Sequence, residues 1–193
     1  MISIAELKEE LKRDLTEHRY EHSIGVMEKA IELAKIFDYD EEKAGLAGLA
    51  HDMAKEMTEE ESIKYIEDNN IEISKYDRLC PQVLHGIIAA DITKKKYGFD
   101  KEMQDAIYYH TTGRENMTLL DKIIYIADKI EERTRKYEKV EKYREVIEKY
   151  GLNAGILFGI EEHTIPNAIK KGKIIHPNSI FARNYFIEKR DRQ

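Results

Sequence analysis

The sequence is poor in cysteine, proline and tryptophan. Its 193 residues include one cysteine, three prolines and no tryptophan. The lone Cys80 has no partner within the chain, which excludes an internal disulfide framework. No window approaches the roughly 20 apolar residues that a membrane-spanning helix needs. The first residues also lack the apolar run of a secretory signal peptide, and we therefore expect a cytoplasmic protein with no membrane partner.

An excess of positive charge is also missing. The chain carries 32 Lys and Arg against 38 Asp and Glu, for a formal net charge of −6, which argues against DNA as a partner. Charged residues of both signs are interspersed with apolar residues at helical spacing, a pattern typical of solvated helix surfaces rather than disorder. Because no Gly-, Ser- or Pro-rich tract offers a linker, we expect a single domain over residues 1–193.

Helix signals cover nearly the whole chain. Ser3 with Glu6, and Thr58 with Glu61, have the spacing of capping boxes ahead of apolar repeats. No stretch alternates convincingly as a β-strand. The pattern predicts an all-α bundle with helices at about residues 3–17, 20–37, 41–53, 58–68, 81–97, 101–110, 118–134, 139–150, 153–171 and 178–189.

Polar side chains fall on the apolar faces of five of these helices. His22, for example, shares a face with Val26 and Ala30. A single inward histidine is more often a core residue bonded to a backbone carbonyl. A set of six, on five helices, instead favours convergence on a metal, because unpaired buried polar groups cost several kcal/mol. The six are His22, His51, Asp52, His85, His110 and Asp128.

The composition of this set restricts the metal. Mixed imidazole and carboxylate ligands suit zinc, iron or manganese better than magnesium. His51 and Asp52 are neighbours, about 100° apart on a helix, so we expect them at the rim of a cavity. Six ligands would nearly saturate one octahedral ion, whereas two ions ~3.5–4 Å apart, bridged by Asp52, leave room for water and substrate. One metal, with surplus histidines contacting phosphate, is the alternative.

Several residues near these ligands have the chemistry of phosphate binding. Lys55 lies one helical turn beyond His51, and the segment Thr111–Arg114 directly follows a candidate histidine ligand. The glycine of that segment permits a sharp turn that would face amides, hydroxyls and a guanidinium towards a polyphosphate. A surface lysine and an ordinary helix C-cap are the alternative interpretations. Arg133 and Arg183 would either hold phosphate or pair with neighbouring glutamates.

Short strings around these residues carry a family resemblance. The run Leu49–Lys55, which contains the dipeptide His51-Asp52, resembles the signature of the HD-domain metal-dependent phosphohydrolases. Further strings resemble, in order and from about residue 5 to 188, the bacterial YqeK-type family of symmetrical diadenosine tetraphosphate hydrolases. These strings are Arg19-Tyr20-Glu21-His22-Ser23, Tyr109-His110-Thr111-Thr112-Gly113-Arg114, Ile126-Ala127-Asp128-Lys129-Ile130-Glu131 and Arg183-Asn184.

That resemblance implies an HD-type helical bundle with a dinuclear iron centre, the same ligands also accepting manganese, cobalt or zinc. It implies metal-dependent cleavage of diadenosine tetraphosphate into two ADP, through attack of a metal-activated hydroxide on a β-phosphorus. The implied metal ligands are His22, His51, Asp52, His85, His110 and Asp128, and the implied catalytic residues are Asp52, Lys55 and Arg114. Substrate contacts are expected from His22, Lys55, His85, His110, Thr111, Gly113, Arg114, Asp128, Arg133, Lys173, His176 and Arg183.

Residues Lys171–Asn178 combine a glycine, lysines and apolar surface, and the resemblance suggests adenosine contacts there. Two rival functions stay open at this point. One is another HD-type hydrolase, acting on a nucleoside monophosphate, a cyclic nucleotide or a different polyphosphate. The other is a non-catalytic nucleotide sensor with a structural metal, which would not need polyphosphate-binding cations beside the ligands. The sequence also leaves open whether the chain is a monomer or a homodimer.

Overall fold

Helices form the whole regular structure of residues 2–190, the part of the chain that the computed structural model describes. No strand occurs in this range, so the all-α prediction is confirmed. A 3₁₀ turn covers Pro81–Val83 and a π-helical turn covers Ile160–Thr164. The α-helices are α1 Ile4–Asp14, α2 Glu17–Ile36, α3 Glu41–Ala50, α4 Glu59–Asp68, α5 Lys75–Leu79, α6 Leu84–Tyr97, α7 Lys101–Tyr109, α8 Leu119–Ile130, α9 Tyr137–Tyr150, α10 Leu152–Gly159, α11 Ile165–Lys170 and α12 Pro177–Arg190.

Helix α8 lies at the centre of the bundle and packs against α2, α3, α7, α9 and α10. Nine of its twelve residues are buried, and seven of these nine are apolar. Helices α2 and α3 approach each other closely at Gly48. A Cβ atom at Gly48 would lie 3.1 Å from Cβ of Ala30 and 3.2 Å from the backbone of Met27. Small residues therefore bring the segment after α3 close to the centre of α2.

Several helix boundaries differ from those predicted. Helix α3 ends at Ala50 rather than 53, because residues 51–57 form successive tight turns. Helix α8 ends at Ile130 rather than 134, since the Glu131 side chain accepts backbone N–H groups that follow it. The segment predicted as one helix over 153–171 is divided by the π-helical turn, and the short helix α5 was missed.

A second, smaller apolar cluster packs α4 and the turn before α6 against α6. Its buried members include Ile66, Cys80, Leu84 and Ile88. Tyr108 of α7 packs against both this cluster and the main core, and so joins the two. Among the described residues, no helix combines the length and the apolar character needed to cross a lipid bilayer.

Candidate metal centre

Six buried polar side chains from five parts of the bundle meet at one place. They come from the middle of α2, the turn after α3, the start of α6, the C-terminal residue that caps α7 and the end of α8. The structure thus brings together all the residues that the sequence predicted as ligands. They are His22 (2% exposed), His51 (0%), Asp52 (3%), His85 (5%), His110 (2%) and Asp128 (6%).

Asp52 occupies the middle of this cluster. Its Oδ2 atom lies 3.7 Å from Nε2 of His22 and 3.6 Å from Nε2 of His51. Its Oδ1 atom lies 3.0 Å from Nε2 of His85 and 3.5 Å from Nε2 of His110. The donors therefore form two groups of three that share Asp52, and within each group all donor atoms lie within 4.8 Å of one another.

Asp128 closes one side of the cluster. Its Oδ1 atom lies 3.1 Å from Nε2 of His22 and 3.9 Å from Nε2 of His51. Asp128 thus adds a second carboxylate to the group that contains His22 and His51. With Asp52 counted in both, the first group consists of His22, His51, Asp52 and Asp128, and the second consists of Asp52, His85 and His110.

The early end of α3 explains how two adjacent residues reach the same centre. On a regular helix, His51 and Asp52 would point about 100° apart. Instead the chain turns after Ala50, with hydrogen bonds from Met53 N–H to the Ala50 carbonyl and from Lys55 N–H to the Asp52 carbonyl. Both side chains are buried inside the cluster, whereas the sequence predicted them at the rim of a cavity.

Backbone carbonyls fix which ring nitrogen faces the cluster. Nδ1 of His51 lies 2.7 Å from the Gly48 carbonyl, and Nδ1 of His110 lies 2.7 Å from the Ile107 carbonyl. A carbonyl oxygen only accepts, so Nδ1 carries the hydrogen in both rings. The Nε2 lone pairs of His51 and His110 therefore face the cluster, as metal ligation requires.

Glu131 fixes the ring orientation of His22 in the same way. The sequence predicted no role for Glu131. Fully buried, Glu131 accepts a hydrogen bond from Nδ1 of His22 at 3.1 Å and two more from the backbone of Arg133 and Thr134. Burial alone would raise the pKa of Glu131, but the hydrogen bonds from His22 and Thr134 lower it to about 2. A Cβ at Gly25 would meet Oε2 of Glu131 at 2.4 Å, so only glycine leaves room for this carboxylate.

Unpartnered atoms at the centre indicate what the cluster can hold. Nε2 of His51 and Oδ1 of Asp52 are buried without a hydrogen bond of acceptable geometry, although Nε2 of His85 approaches that oxygen to 3.0 Å. Each such atom costs roughly 1–3 kcal/mol. Lone pairs on nitrogen and oxygen that face one another repel unless a cation or proton lies between them. The donor set therefore fits a divalent cation that accepts both imidazole and carboxylate.

Two cations contact the central carboxylate. Nη1 of Arg19 lies 2.6 Å from Oδ2 of Asp52. Nζ of Lys55 lies 3.7 Å from Oδ1 of Asp52 and 3.0 Å from Nε2 of His85. Burial opposes ionisation of Asp52, but the imidazoles around it and Lys55 hold its pKa well below the usual range. Arg19 stood in a matched string, yet the sequence assigned it no function.

Two further cations contact Asp128. Lys129 pairs with Oδ2, while Arg135 pairs with Oδ1 and also donates to the Asp128 backbone carbonyl at 2.9 Å. Burial would raise the pKa of Asp128, but Lys129, Arg135 and the hydrogen bond from His22 keep it well below the usual range. Arg19, Lys55, Lys129 and Arg135, here called the rim cations, therefore surround the two carboxylates. Of these four, the sequence predicted only Lys55.

Arg114 is held by acidic residues beside the cluster. Its Nη2 atom lies 2.8 Å from Oδ2 of the buried Asp121, its Nη1 atom lies 3.4 Å from Oδ2 of Asp105, and its guanidinium stacks on the ring of Tyr109. These contacts fix the loop that follows α7. A catalytic role for Arg114 stays a prediction, and it would require the guanidinium to leave Asp121.

The other two predicted arginines pair with glutamates. Arg133 forms ion pairs with Glu21 and Glu28, joining the end of α8 to α2. Nη2 of Arg183 lies 2.6 Å from Oε1 of Glu161. Of the two interpretations left open by the sequence, the salt bridge describes both side chains as they lie in the structure.

A cavity of about 200 Å³ adjoins the cluster through Thr111, whose Oγ1 lies 3.1 Å from Nε2 of His110. Gly113 turns the chain just after it, with a left-handed φ of +68°. The structure thus places three predicted substrate residues, Thr111, Lys173 and His176, around one cavity. Its wall consists of Gln82, Val83, Thr111, Thr112, Thr164, Asn167, Ala168, Lys171, Lys173, Ile174, Ile175, His176 and Ser179.

Comparison with known proteins identifies the family. The HD domain model matches residues 19–133, a range that contains all six cluster residues. The chain belongs to the HD domain family. A protein named symmetrical bis(5'-nucleosyl)-tetraphosphatase from Halalkalibacterium halodurans is 39% identical over 180 residues, 92% of this chain and 93% of the relative. A Bacillus subtilis protein of the same name is 36% identical over 178 residues, 92% and 94% of the two chains.

A solved HD domain structure has the same fold. It comes from Clostridium acetobutylicum and is described as a predicted HD superfamily hydrolase involved in NAD metabolism. The two structures superpose with a TM-score of 0.90 at 40% identity, over 98% of this chain and 99% of the other. The resemblance drawn from the HD motif and the surrounding strings is confirmed by these relatives.

Acid is expected to destabilise the metal-free HD domain through His51 and His85. Burial lowers the pKa of His51 to about 3 and that of His85 to about 4. Between roughly pH 6 and 4.5 the unfolded chain thus binds two more protons, so the free energy of unfolding falls by about 2–3 kcal/mol per pH unit. Burial would lower the pKa of His22, but hydrogen bonds to Asp128 and Glu131 raise it. Within this range His22 is therefore charged in both the folded and the unfolded state, and it adds no slope.

Urea titrations in the presence of a chelator, between pH 7 and pH 5, measure this slope. The control is His51→Gln, which removes one of the two titrating groups and should reduce the slope by about half. A free energy of unfolding that stays constant from pH 7 to pH 5 would contradict the neutral burial of these two histidines.

Proposed function

We propose that this HD domain protein hydrolyses diadenosine tetraphosphate symmetrically into two molecules of ADP. The observation that carries the proposal is the pair of donor groups sharing Asp52, beside a nucleoside-sized cavity and ringed by four cations. The names of the relatives, which cover nearly the whole chain, support the same reaction. An interaction protein with a structural metal would not need the rim cations.

Divalent cations are the cofactor that we assign to the two donor groups. His22, His51, Asp52 and Asp128 would hold one ion, and Asp52, His85 and His110 the other. We propose iron for both positions, with manganese, cobalt and zinc as the other ions that these ligands accept. When bound, such ions supply a water molecule of lowered pKa and neutralise charge on the attacked phosphoryl group.

The rim cations bind the polyphosphate in this proposal. Each of them pairs with Asp52 or Asp128, at the place where the phosphate chain would meet the cluster. The two arginines, Arg19 and Arg135, present planar guanidinium groups that suit bidentate contact with phosphate oxygens. Positioning and charge neutralisation are the main contributions that a protein makes to phosphoryl transfer.

The cavity explains why cleavage would be symmetrical. Thr111 forms both the wall of the cavity and a contact with His110, so a nucleoside in the cavity directs its own phosphates towards the cluster. At about 200 Å³ the cavity is smaller than the ~300–1,000 Å³ sites of drug-sized ligands, and so suits one nucleoside rather than a dinucleotide. Attack at the second phosphorus from that nucleoside leaves ADP in the cavity and releases ADP from the other half.

Hydrolysis in ¹⁸O-labelled water tests the proposal. Protein loaded anaerobically with iron is incubated with diadenosine tetraphosphate, and the products are resolved by chromatography and mass spectrometry. We expect ADP as the only nucleotide, with one ADP of each pair labelled on its β-phosphate. ATP together with AMP would contradict symmetrical cleavage, and label on an α-phosphate would contradict attack at the β-phosphorus.

A substrate panel separates the rival functions. NAD belongs in it, because the Clostridium neighbour is described as involved in NAD metabolism and NAD also joins two nucleosides through phosphates. ATP, AMP and cyclic AMP cover the other HD-type reactions. Faster turnover of any of these would replace the proposed substrate. Tight ADP binding without turnover under iron, manganese, cobalt or zinc would favour a sensor.

A further inference from the structure

A buried carboxylate–imidazole pair joins α5 to the wall of the cavity, away from the metal cluster. Oδ1 of Asp77 lies 3.0 Å from Nε2 of His176, and both side chains are 7% exposed. The two residues are 99 positions apart in sequence. In the described part of the chain, neither shares a hydrogen bond or an ion pair with the six cluster residues or the rim cations. His176 lines the cavity, whereas Asp77 lies behind it.

Hydrogen bonds fix both members of this pair. The backbone N–H of Asn178 donates to Nδ1 of His176 at 3.2 Å, so Nδ1 is an acceptor and Nε2–H donates to Asp77. The other carboxylate oxygen of Asp77 accepts the backbone N–H of Ser74 at 2.7 Å, within the capping box of α5. The ring of His176 is thereby held in one orientation from both sides.

The segment that contains Asp77 also contacts the backbone that precedes His176. Residues Lys173–His176, here called the strap, connect α11 to α12 without regular secondary structure, and the Lys173 N–H donates to the Ala168 carbonyl at the end of α11. The thiol of the buried Cys80, just after α5, donates to the Ile174 carbonyl at 3.7 Å. Two contacts from residues 77–80 thus hold a strap that lines the cavity along its whole length.

We propose that Asp77 is a positioning residue, which holds the strap in place through His176 and so sets the affinity of the cavity for the nucleoside end of a nucleotide. The identity of that ligand rests on the function proposed above. A wall ordered in advance loses less conformational entropy when ligand binds, and this difference appears in affinity rather than in the chemical step. Asp77 therefore acts on ground-state binding, and hydrolysis is left to the cluster.

The variant Asp77→Asn tests this role with little change in shape. Asparagine keeps an oxygen that can cap α5, but it removes the charge that accepts from His176. We expect the KM for diadenosine tetraphosphate and the Kd for ADP to rise about tenfold, the effect of one charge-assisted hydrogen bond, with kcat unchanged within about twofold. Hydrogen exchange of the strap amides should become faster in the same variant.

The matched control is Glu61→Gln. Glu61 is the corresponding carboxylate in the capping box of α4, where it is exposed and accepts the Thr58 backbone N–H. This variant should leave KM, Kd and strap exchange at wild-type values. Both variants remove the charge of a capping carboxylate, so a general loss of stability caused by that change would appear in both.

Unchanged ADP affinity and unchanged strap exchange in Asp77→Asn would overturn the proposal. A fall in kcat at constant KM would overturn it too, because it would place Asp77 in the chemical step. If Asp77→Asn proves unstable, the variant His176→Asn decides, because it breaks the same hydrogen bond from the other side: faster exchange of the strap amides supports the link, and exchange at the wild-type rate refutes it. Failure of the wild-type protein to hydrolyse the substrate would refute only the proposed function, since strap exchange is measured without substrate.

Discussion

Replacement Asp52→Asn is expected to lower kcat for diadenosine tetraphosphate by about 10³-fold or more, a loss comparable to removing a central catalytic carboxylate elsewhere. Asp52 is the residue that both donor groups share, with one oxygen towards His22 and His51 and the other towards His85 and His110. An amide has no negative charge and only one oxygen, so neither group keeps its central ligand. The affinity for metal should therefore fall together with turnover.

The fold should survive this exchange, because asparagine has nearly the same volume as aspartate. Kinetics, metal content and circular dichroism of the purified variant measure the three effects separately. The matched control is Asp91→Asn on α6, where the carboxylate accepts from Tyr65 and Lys95 outside the cluster. The control should have wild-type activity. If Asp52→Asn kept a tenth of the wild-type kcat with a normal metal content, Asp52 would not be the shared ligand.

Removal of divalent metal is expected to abolish turnover and to lower the melting temperature by about 5–15 °C. A ligand present at 100–1,000 times its Kd stabilises the native state by about 2.7–4.1 kcal/mol, and a chain of this size shifts by about 2–4 °C per kcal/mol. The physical source is the set of buried ligand atoms on His51 and Asp52, which lack a hydrogen bond of acceptable geometry within the protein.

Thermal unfolding with a chelator, and after return of iron, manganese, cobalt, zinc or magnesium, measures this shift. We expect recovery with the first four and little with magnesium, which prefers oxygen ligands. His18→Gln is the control, because His18 is exposed and lies one helical turn from His22. It should keep the metal-dependent shift, while His51→Gln should lose most of it. Equal melting temperatures with and without metal would argue against a bound ion.

The sequence predicted the parts of this site that depend on local pattern. A polar residue within a long apolar face, such as His22 in α2 or Asp128 in α8, can be recognised as inward-facing because helical periodicity is regular. Convergence of the six residues followed from the same reasoning. The end of α3 could not be predicted, since no proline or glycine marks the tight turns after Ala50, and the five residues of α5 are too few to show a period.

Pairing between distant charges was the other part that sequence could not supply. Arg19 reaches a carboxylate 33 residues away, and Arg133 pairs with a glutamate 105 residues away. Arginine, lysine and glutamate are abundant throughout the chain, so their partners are decided by the packing of helices and not by local spacing. This is why Arg133 and a rim cation such as Arg135, two residues apart, have different surroundings.

The glycine at position 25 has a consequence for efforts to stabilise the protein. Alanine is favoured over glycine within a helix by about 1 kcal/mol, so an engineer ranking substitutions by propensity would replace Gly25 in the middle of α2. The added methyl group would overlap the buried carboxylate of Glu131, which orients His22. A substitution chosen for stability would then disturb the orientation of a metal-facing imidazole from a position that bears no functional group.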